Sequence, residues 1–212
     1  MSNQKKICFY IIVSDTGLAP NPFHGSCTLA LCTPNHMSAR LEKGDCIVGC
    51  SRSGEIPRVV YVMQVDKTLS LAGYYSDPRY ACKKPSGNDW KTKVGDNMYY
   101  LDRHGLLQQD PKALRHRDMA SQTKDKRGNK VFIGRQFVYL GGEAILLPSA
   151  FHSCLPAKQG IKYLRSNNPL YHQFLKWSKT IGKGYKGNPR DRETQPSPLP
   201  CGISHDSPTY PS

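Results

Sequence analysis

The sequence predicts a single α+β domain: a curved, mainly antiparallel sheet or barrel with short helices, a C-terminal helix and an irregular tail. Three features predict this class. They are short apolar runs rich in β-branched and aromatic residues, one clear hairpin pattern, and one amphipathic helix pattern late in the chain. At 212 residues and 38% hydrophobic content, the chain is long enough to bury one core without covalent staples.

The elements follow in order. Residues 7–13 are apolar and β-branched, which suits a buried first strand. A Pro-rich loop over 14–26 leads to a short apolar segment at 28–32. Thr33-Pro34 places a cap residue before a proline at the first helical position, predicting a short helix over 33–41. Segments 46–51 and 58–65, separated by Arg52-Ser53-Gly54-Glu55, form the strongest hairpin signal. A short helix is expected over 68–75, with strands over 98–101 and 131–140. Between those strands lies a long insertion, residues 102–130, with eight Lys/Arg against four Asp. An insertion of that length in a compact domain is usually functional or mobile. The chain then reads as loop from 148 to Asn168-Pro169, which opens a helix ending at Gly182. There Leu170, Phe174, Trp177 and Ile181 recur at helical spacing. Domain 1–182 is thus followed by a Pro/Gly/Ser-rich tail, 183–212, expected to be irregular.

Charge narrows the partners. Thirty Lys+Arg against 16 Asp+Glu give a formal charge of +14, which attracts polyanions without saying which. No apolar run approaches the roughly 20 residues of a spanning helix. Lys5-Lys6 before the apolar run mimics a signal peptide, but no small-residue cleavage site follows. A cytoplasmic protein with no membrane partner is expected, its eight cysteines reduced. Cys27/Cys32 and Cys46/Cys50 lack the knuckle spacing of a zinc site, so no metal and no cofactor are expected. Gly182-x-Gly184-x-x-Gly187 matches a dinucleotide-binding spacing but follows a helix rather than a strand, which removes its meaning. Hydrolase, zincin and deaminase signatures are missing.

Several residues have site chemistry. Asp15 and Asn21, on the loop after the first strand, can read a base edge, and Phe23 can stack on a base; Asp and Asn also cap turns. Asp96 and Asn97, at a strand entry, can bind a nucleotide or orient water. Trp90 stands on a polar loop and suits stacking. Arg58, Arg79 and Lys83 are candidate phosphate ligands, although Arg79 can equally pair with Asp77. If the chain is an enzyme, Asp15, His24 and Asp96 are the catalytic candidates, a carboxylate–imidazole set suited to acid–base work. Residues 156–192 contain nine Lys/Arg and one acid, interleaved with aromatics, as in a surface that tracks a phosphate backbone.

Ordered blocks carry a family resemblance. They are Asp15-Thr16-Gly17-Leu18-Ala19-Pro20-Asn21-Pro22-Phe23, Cys27-Thr28-Leu29-Ala30, Gly44-Asp45, Arg58-Val59-Val60-Tyr61, Asp77-Pro78-Arg79-Tyr80, Gly95-Asp96-Asn97-Met98-Tyr99 and Arg135-Gln136-Phe137-Val138-Tyr139. Over roughly residues 7–180 the chain resembles the second of the nucleotide-modification-associated domain families of bacteria and their phages. The resemblance implies a place in a DNA base-modification pathway but no particular reaction. The chain departs from it at Cys46, where the family commonly has an aromatic residue. A weaker likeness of pattern alone links the chain to the PUA-like domains (EVE, YTH and ASCH), several of which hold a modified base. The expected function is recognition of nucleic acid or nucleotide within a DNA base-modification system, with a base, modified or not, held near Asp15, Asn21, Phe23 and Asp96. The alternatives are an enzyme that processes a nucleotide, or a basic scaffold that docks a partner base-modification enzyme.

Overall fold

The computed structural model describes residues 4–31, 39–52, 56–87 and 89–192. Most of the helix expected over 33–41, the hairpin turn at 53–55 and the tail beyond 192 lie outside the described residues.

The first strand, β1 (Lys6–Ile11), is buried on both faces, as its unbroken apolar run requires. It pairs in parallel with β3 (Cys46–Ser51) and antiparallel with β11 (Ile161–Arg165). The expected hairpin forms between β3 and β4 (Arg58–Gln64). A register shift in it sets Gly49 opposite Tyr61 and Cys50 opposite Val59, leaving Val60 as the extra residue of a bulge. The sheet continues through β9 (Phe137–Tyr139) to β12 (Gly184–Tyr185), with β10 (Ile145–Leu146) also on β4. This seven-stranded sheet is open, with β11 and β12 at its two ends, so the barrel alternative does not form among the described residues. A second sheet is β2 (Cys27–Leu29), β8 (Val131–Gly134) and β5 (Lys67–Leu69).

The main sheet carries a core on each face. Ile7, Phe9, Val48 and Val59 meet Phe151 and Phe174 on one side, while Cys8, Tyr10, Ile47 and Tyr61 meet Cys27, Leu29 and Phe132 on the other. A third cluster gathers Leu18, Leu71, Tyr74, Met98 and Tyr99 around Val131 and Ile133. Cys46 sits in the first cluster at 6% exposure, so an aromatic residue there would fill core rather than line a site. Burial pushes its thiol up to about 12, that of an inert packing residue.

Several expectations are corrected. The helix over 68–75 starts later: residues 67–69 pair with β8, Ser70 caps, and α1 runs over Leu71–Ser76. The single strand over 131–140 is two strands in different sheets. The chain turns between them at Gly134, whose Cα packs so closely on the Gln64 carbonyl that no side chain fits. The insertion 102–130 is ordered. Its β7 (Leu107–Gln109) pairs with β6 (Tyr99–Leu101), and its α3 (Met119–Gly128) follows α2 (Trp90–Lys93) in chain order. Buried Asp125 on α3 accepts from Tyr99 at 2.8 Å and pairs with His116 at 2.6 Å, tying the insertion to the body. The stretch 148–168 contains β11 and a 3₁₀ turn, Ser149–Cys154. The closing helix, α4 (Pro169–Thr180), forms as expected, with Asn168 accepting from the Leu170 N–H. Beyond it residues 184–192 return to the sheet, so the first part of the expected tail is built structure. Among the described residues no helix is long and apolar enough to cross a membrane.

Candidate functional site

The loop after β1 and the segment after β12 are laced together. The Asp15 N–H donates to Asp191 Oδ2 (2.8 Å), and the Asp191 N–H returns a bond to the Asp15 carbonyl (2.8 Å). Gly187 and Gly141 make the crossing possible: Gly187 packs on the Leu140 carbonyl and Gly141, at φ +56°, on the Asn188 carbonyl, with no space for a Cβ at either. The crossing puts Asp15 at the floor of a cleft. Its carboxylate accepts from the Tyr139 hydroxyl at 2.6 Å and from the Arg190 N–H at 3.3 Å. Burial raises its pKa, while those two donors hold it down only in part.

The cleft has a volume of about 160 Å³ and is lined by Asp15, Ser51, Arg58, Val60, Gly141, Gly142, Ala144 and Arg190. The β4 bulge places Val60 in its wall, and the end of β3 supplies Ser51. Arg58 is exposed and makes one side-chain hydrogen bond, Nη1 to the Ala144 carbonyl at 3.0 Å. It has no acidic partner among the described residues. Among the described residues one of its five N–H donors is therefore in use. Arg190 is more committed: it reaches the Val13 carbonyl (3.0 Å) and both oxygens of Asp191 (2.9 and 3.0 Å). Asp191, despite the upward push of burial, is held below its ordinary value by that guanidinium.

Beside the cleft is a row of rings. Tyr139 stacks on Tyr185, Tyr185 meets Phe23, and Phe23 meets Trp90. Trp90 opens α2, where Asp89 and Thr92 form a capping box.

The other candidates are placed differently. Asn21, Asp96 and Asn97 are each at most 1% exposed and belong to an internal network. Lys83, read from the sequence as a phosphate ligand, is corrected most plainly. It is 1% exposed, and its ammonium donates to the Asn21 side chain (2.8 Å), the carbonyls of Asn21 and Ser26, and Thr28 Oγ1. Thr28 passes the connection to Asp96 Oδ2 at 2.6 Å, and the Tyr74 hydroxyl donates to Asp96 Oδ1 at 2.9 Å. Burial lowers the Lys83 pKa and raises that of Asp96, each opposed by the other's charge. Asn97 donates to the Tyr74 and Tyr80 carbonyls. Arg79 closes on Asp77, its own helix cap, and is not in the cleft. His24 is exposed on the far end of the loop at φ +57°. Burial lowers its pKa first, then Lys83, with Asp89 opposing; Asp15 is not among its charged neighbours. The set Asp15, His24 and Asp96 is thus not assembled: of the three only Asp15 lines the cleft. The structure brings Asp15 and Arg58 together, with Phe23 and Trp90 alongside.

The sequence reading did not single out Ser51, the Gly141-Gly142 pair or Lys91, and took Arg190 and Arg192 only as part of the basic stretch 156–192. The glycine pair directly after a strand was the one local signal available. Among the described residues no three His, Cys, Asp or Glu side chains converge as metal ligands do.

These features define an α+β domain with a small cleft, lined in part by Asp15, Ser51, Arg58 and Arg190, beside an aromatic row. Its sequence matches the family described as nucleotide modification associated domain 2 over residues 4–196, and the chain belongs to that family. The matched span includes the segment 184–192 that completes the cleft. Neither a curated protein nor a solved structure matches the chain.

Proposed function

We propose that this protein recognises a nucleotide, free or in nucleic acid, within a DNA base-modification system, and that the cleft over Asp15 takes one base or phosphate. Arg58 carries the reading: an exposed guanidinium that among the described residues commits one N–H donor, and that lines the cleft with Asp15 and Ser51, suits bidentate binding of a phosphate or a guanine edge. The volume agrees, because about 160 Å³ is below the roughly 300 Å³ at which whole-ligand pockets begin. One ring or one phosphate enters, and the rest of the ligand remains outside. The formal charge of +14 favours the encounter.

A second reading has its own support. A carboxyl raised by burial, bonded to a phenol and lining a cleft with Ser51, is a candidate acid–base group for chemistry on the bound nucleotide.

One experiment separates the readings. Purified protein is titrated with matched unmodified and base-modified oligonucleotides at two salt concentrations, and ligand mass is recorded after incubation. Preference for one base with unchanged mass supports recognition, and a mass change supports the enzyme. Salt-sensitive binding without preference, unaffected by Arg58→Ala, rejects the cleft.

A further inference from the structure

The aromatic row extends the cleft into a longer surface. Tyr139, whose hydroxyl reaches Asp15, lies within 5° of parallel to Tyr185, ring centroids 5.7 Å apart. Phe23 meets Tyr185 at 5.5 Å and the Trp90 indole edge-on at 5.2 Å. Tyr139 and Phe23 are buried, but Tyr185 keeps 36% of its surface in solvent and Trp90 is half-buried.

Two cations overlie the row. Lys91 Nζ is 5.6 Å from the Tyr185 centroid, 5.8 Å from that of Trp90 and 6.0 Å from that of Phe23. The Arg192 guanidinium is 4.3 Å from the Trp90 centroid. Neither has an acidic partner within ion-pair distance among the described residues. A row that served only to pin residues 184–192 would need no such pair of cations, which repel each other until a polyanion meets them.

We infer that Tyr185, Trp90, Lys91 and Arg192 form a stacking subsite for a second nucleotide, which makes the ligand a single-stranded nucleic acid rather than a free mononucleotide. This rests on the cleft holding the first nucleotide and adds a length requirement to it. A base laid on Tyr185 continues the stack that Tyr139 begins, and Lys91 and Arg192 take the phosphates around it. Paired bases are stacked on their own neighbours and have no free face to offer, so duplex is the poorer ligand. Every base has a π face, so this subsite sets strand form and length while sequence preference stays with the cleft.

The test compares a single-stranded DNA of about 8 nucleotides, the same sequence as duplex, and the matching mononucleotide monophosphate, on wild type, Trp90→Ala, Tyr185→Ala and Arg58→Ala. Trp90→Phe and Tyr185→Phe, which keep a ring, control for folding. The expected result is strand binding at least about tenfold tighter than mononucleotide, with that margin lost in Trp90→Ala and Tyr185→Ala and largely restored by the Phe variants. Mononucleotide affinity stays unchanged in the ring variants and falls in Arg58→Ala. Equal affinity for strand and mononucleotide, or ring variants that bind strand normally, overturns the subsite and leaves the cleft standing. Mononucleotide binding indifferent to Arg58→Ala overturns the cleft and, with it, the subsite.

Discussion

The Tyr139 hydroxyl donates to the Asp15 carboxylate across 2.6 Å, although 124 positions separate the two residues in the chain. The bond joins the start of the loop after the first strand to β9, the strand next to the β12 end of the main sheet. It also makes one phenol serve two neighbours: the hydroxyl faces the cleft floor while the ring supports Tyr185.

Arg58→Ala is expected to weaken nucleotide binding roughly ten- to a hundredfold, the loss of charge-assisted hydrogen bonds. The residue is exposed and makes one bond to the Ala144 carbonyl, so the thermal midpoint should scarcely move. Fluorescence anisotropy with labelled oligonucleotide and a melting curve check both halves.

Asp15→Asn should change how stability depends on pH. From its ordinary value near 3.8 up to its raised value, the folded chain holds the Asp15 proton more tightly than the unfolded chain. Stability from this group is therefore greatest at acid pH and declines as pH rises through that window. Urea unfolding of both proteins at stepped pH should show wild type losing ground to Asp15→Asn with rising pH, then a constant difference above the window. A difference independent of pH would show that the carboxyl is not raised.

Lys83→Met should be severely destabilising, by about 3–5 kcal/mol, because Asp96 then stays buried without its cation. Asp96→Asn leaves the opposite charge stranded and should cost a similar amount. The double substitution should cost clearly less than the sum of the two. Additive losses in a denaturant-based double-mutant cycle would show that the pair is not coupled through Thr28.

A chain ending after Gly182 lacks Tyr185, Arg190, Asp191 and Arg192. It should melt lower and fail to bind nucleotide, since Asp15 loses two partners and the cleft one wall. A chain ending at residue 196, where the family match ends, should keep both properties. Equal behaviour of the two truncations in melting and binding assays would show that the segment adds nothing.

Much of the frame was legible because its signals are local. The β3–β4 pair announced itself by two β-branched runs around a glycine-containing turn, and α4 by Asn168-Pro169 and its apolar spacing. What stayed illegible depends on distant partners. Phe137–Tyr139 differs little in composition from Val131–Gly134, yet the two enter different sheets, a division set by their distant partners. A two-residue strand such as Gly184–Tyr185 has no periodicity to read; it exists because β9 offers a free edge. Lys83 reads as a surface cation until four acceptors, drawn from residues 21 to 28, enclose it. The candidate site was half visible: Asp15, Arg58, Phe23 and Trp90 on the basis of their chemistry, but none of the cations of 190–192 as partners for them.

The strap of residues 184–192 has a consequence for biosynthesis. On the ribosome Arg190 and Asp191, which lock the loop bearing Asp15, emerge more than 170 residues after it. Until then the carboxylate loop and the edge of β9 lack their native partners, and contacts of such long separation form slowly. A chain that has not yet reached residue 192 therefore lacks the strap that completes the cleft. Only a chain extended through residue 192 closes the cleft, while a shorter one keeps much of the positive charge without that geometry.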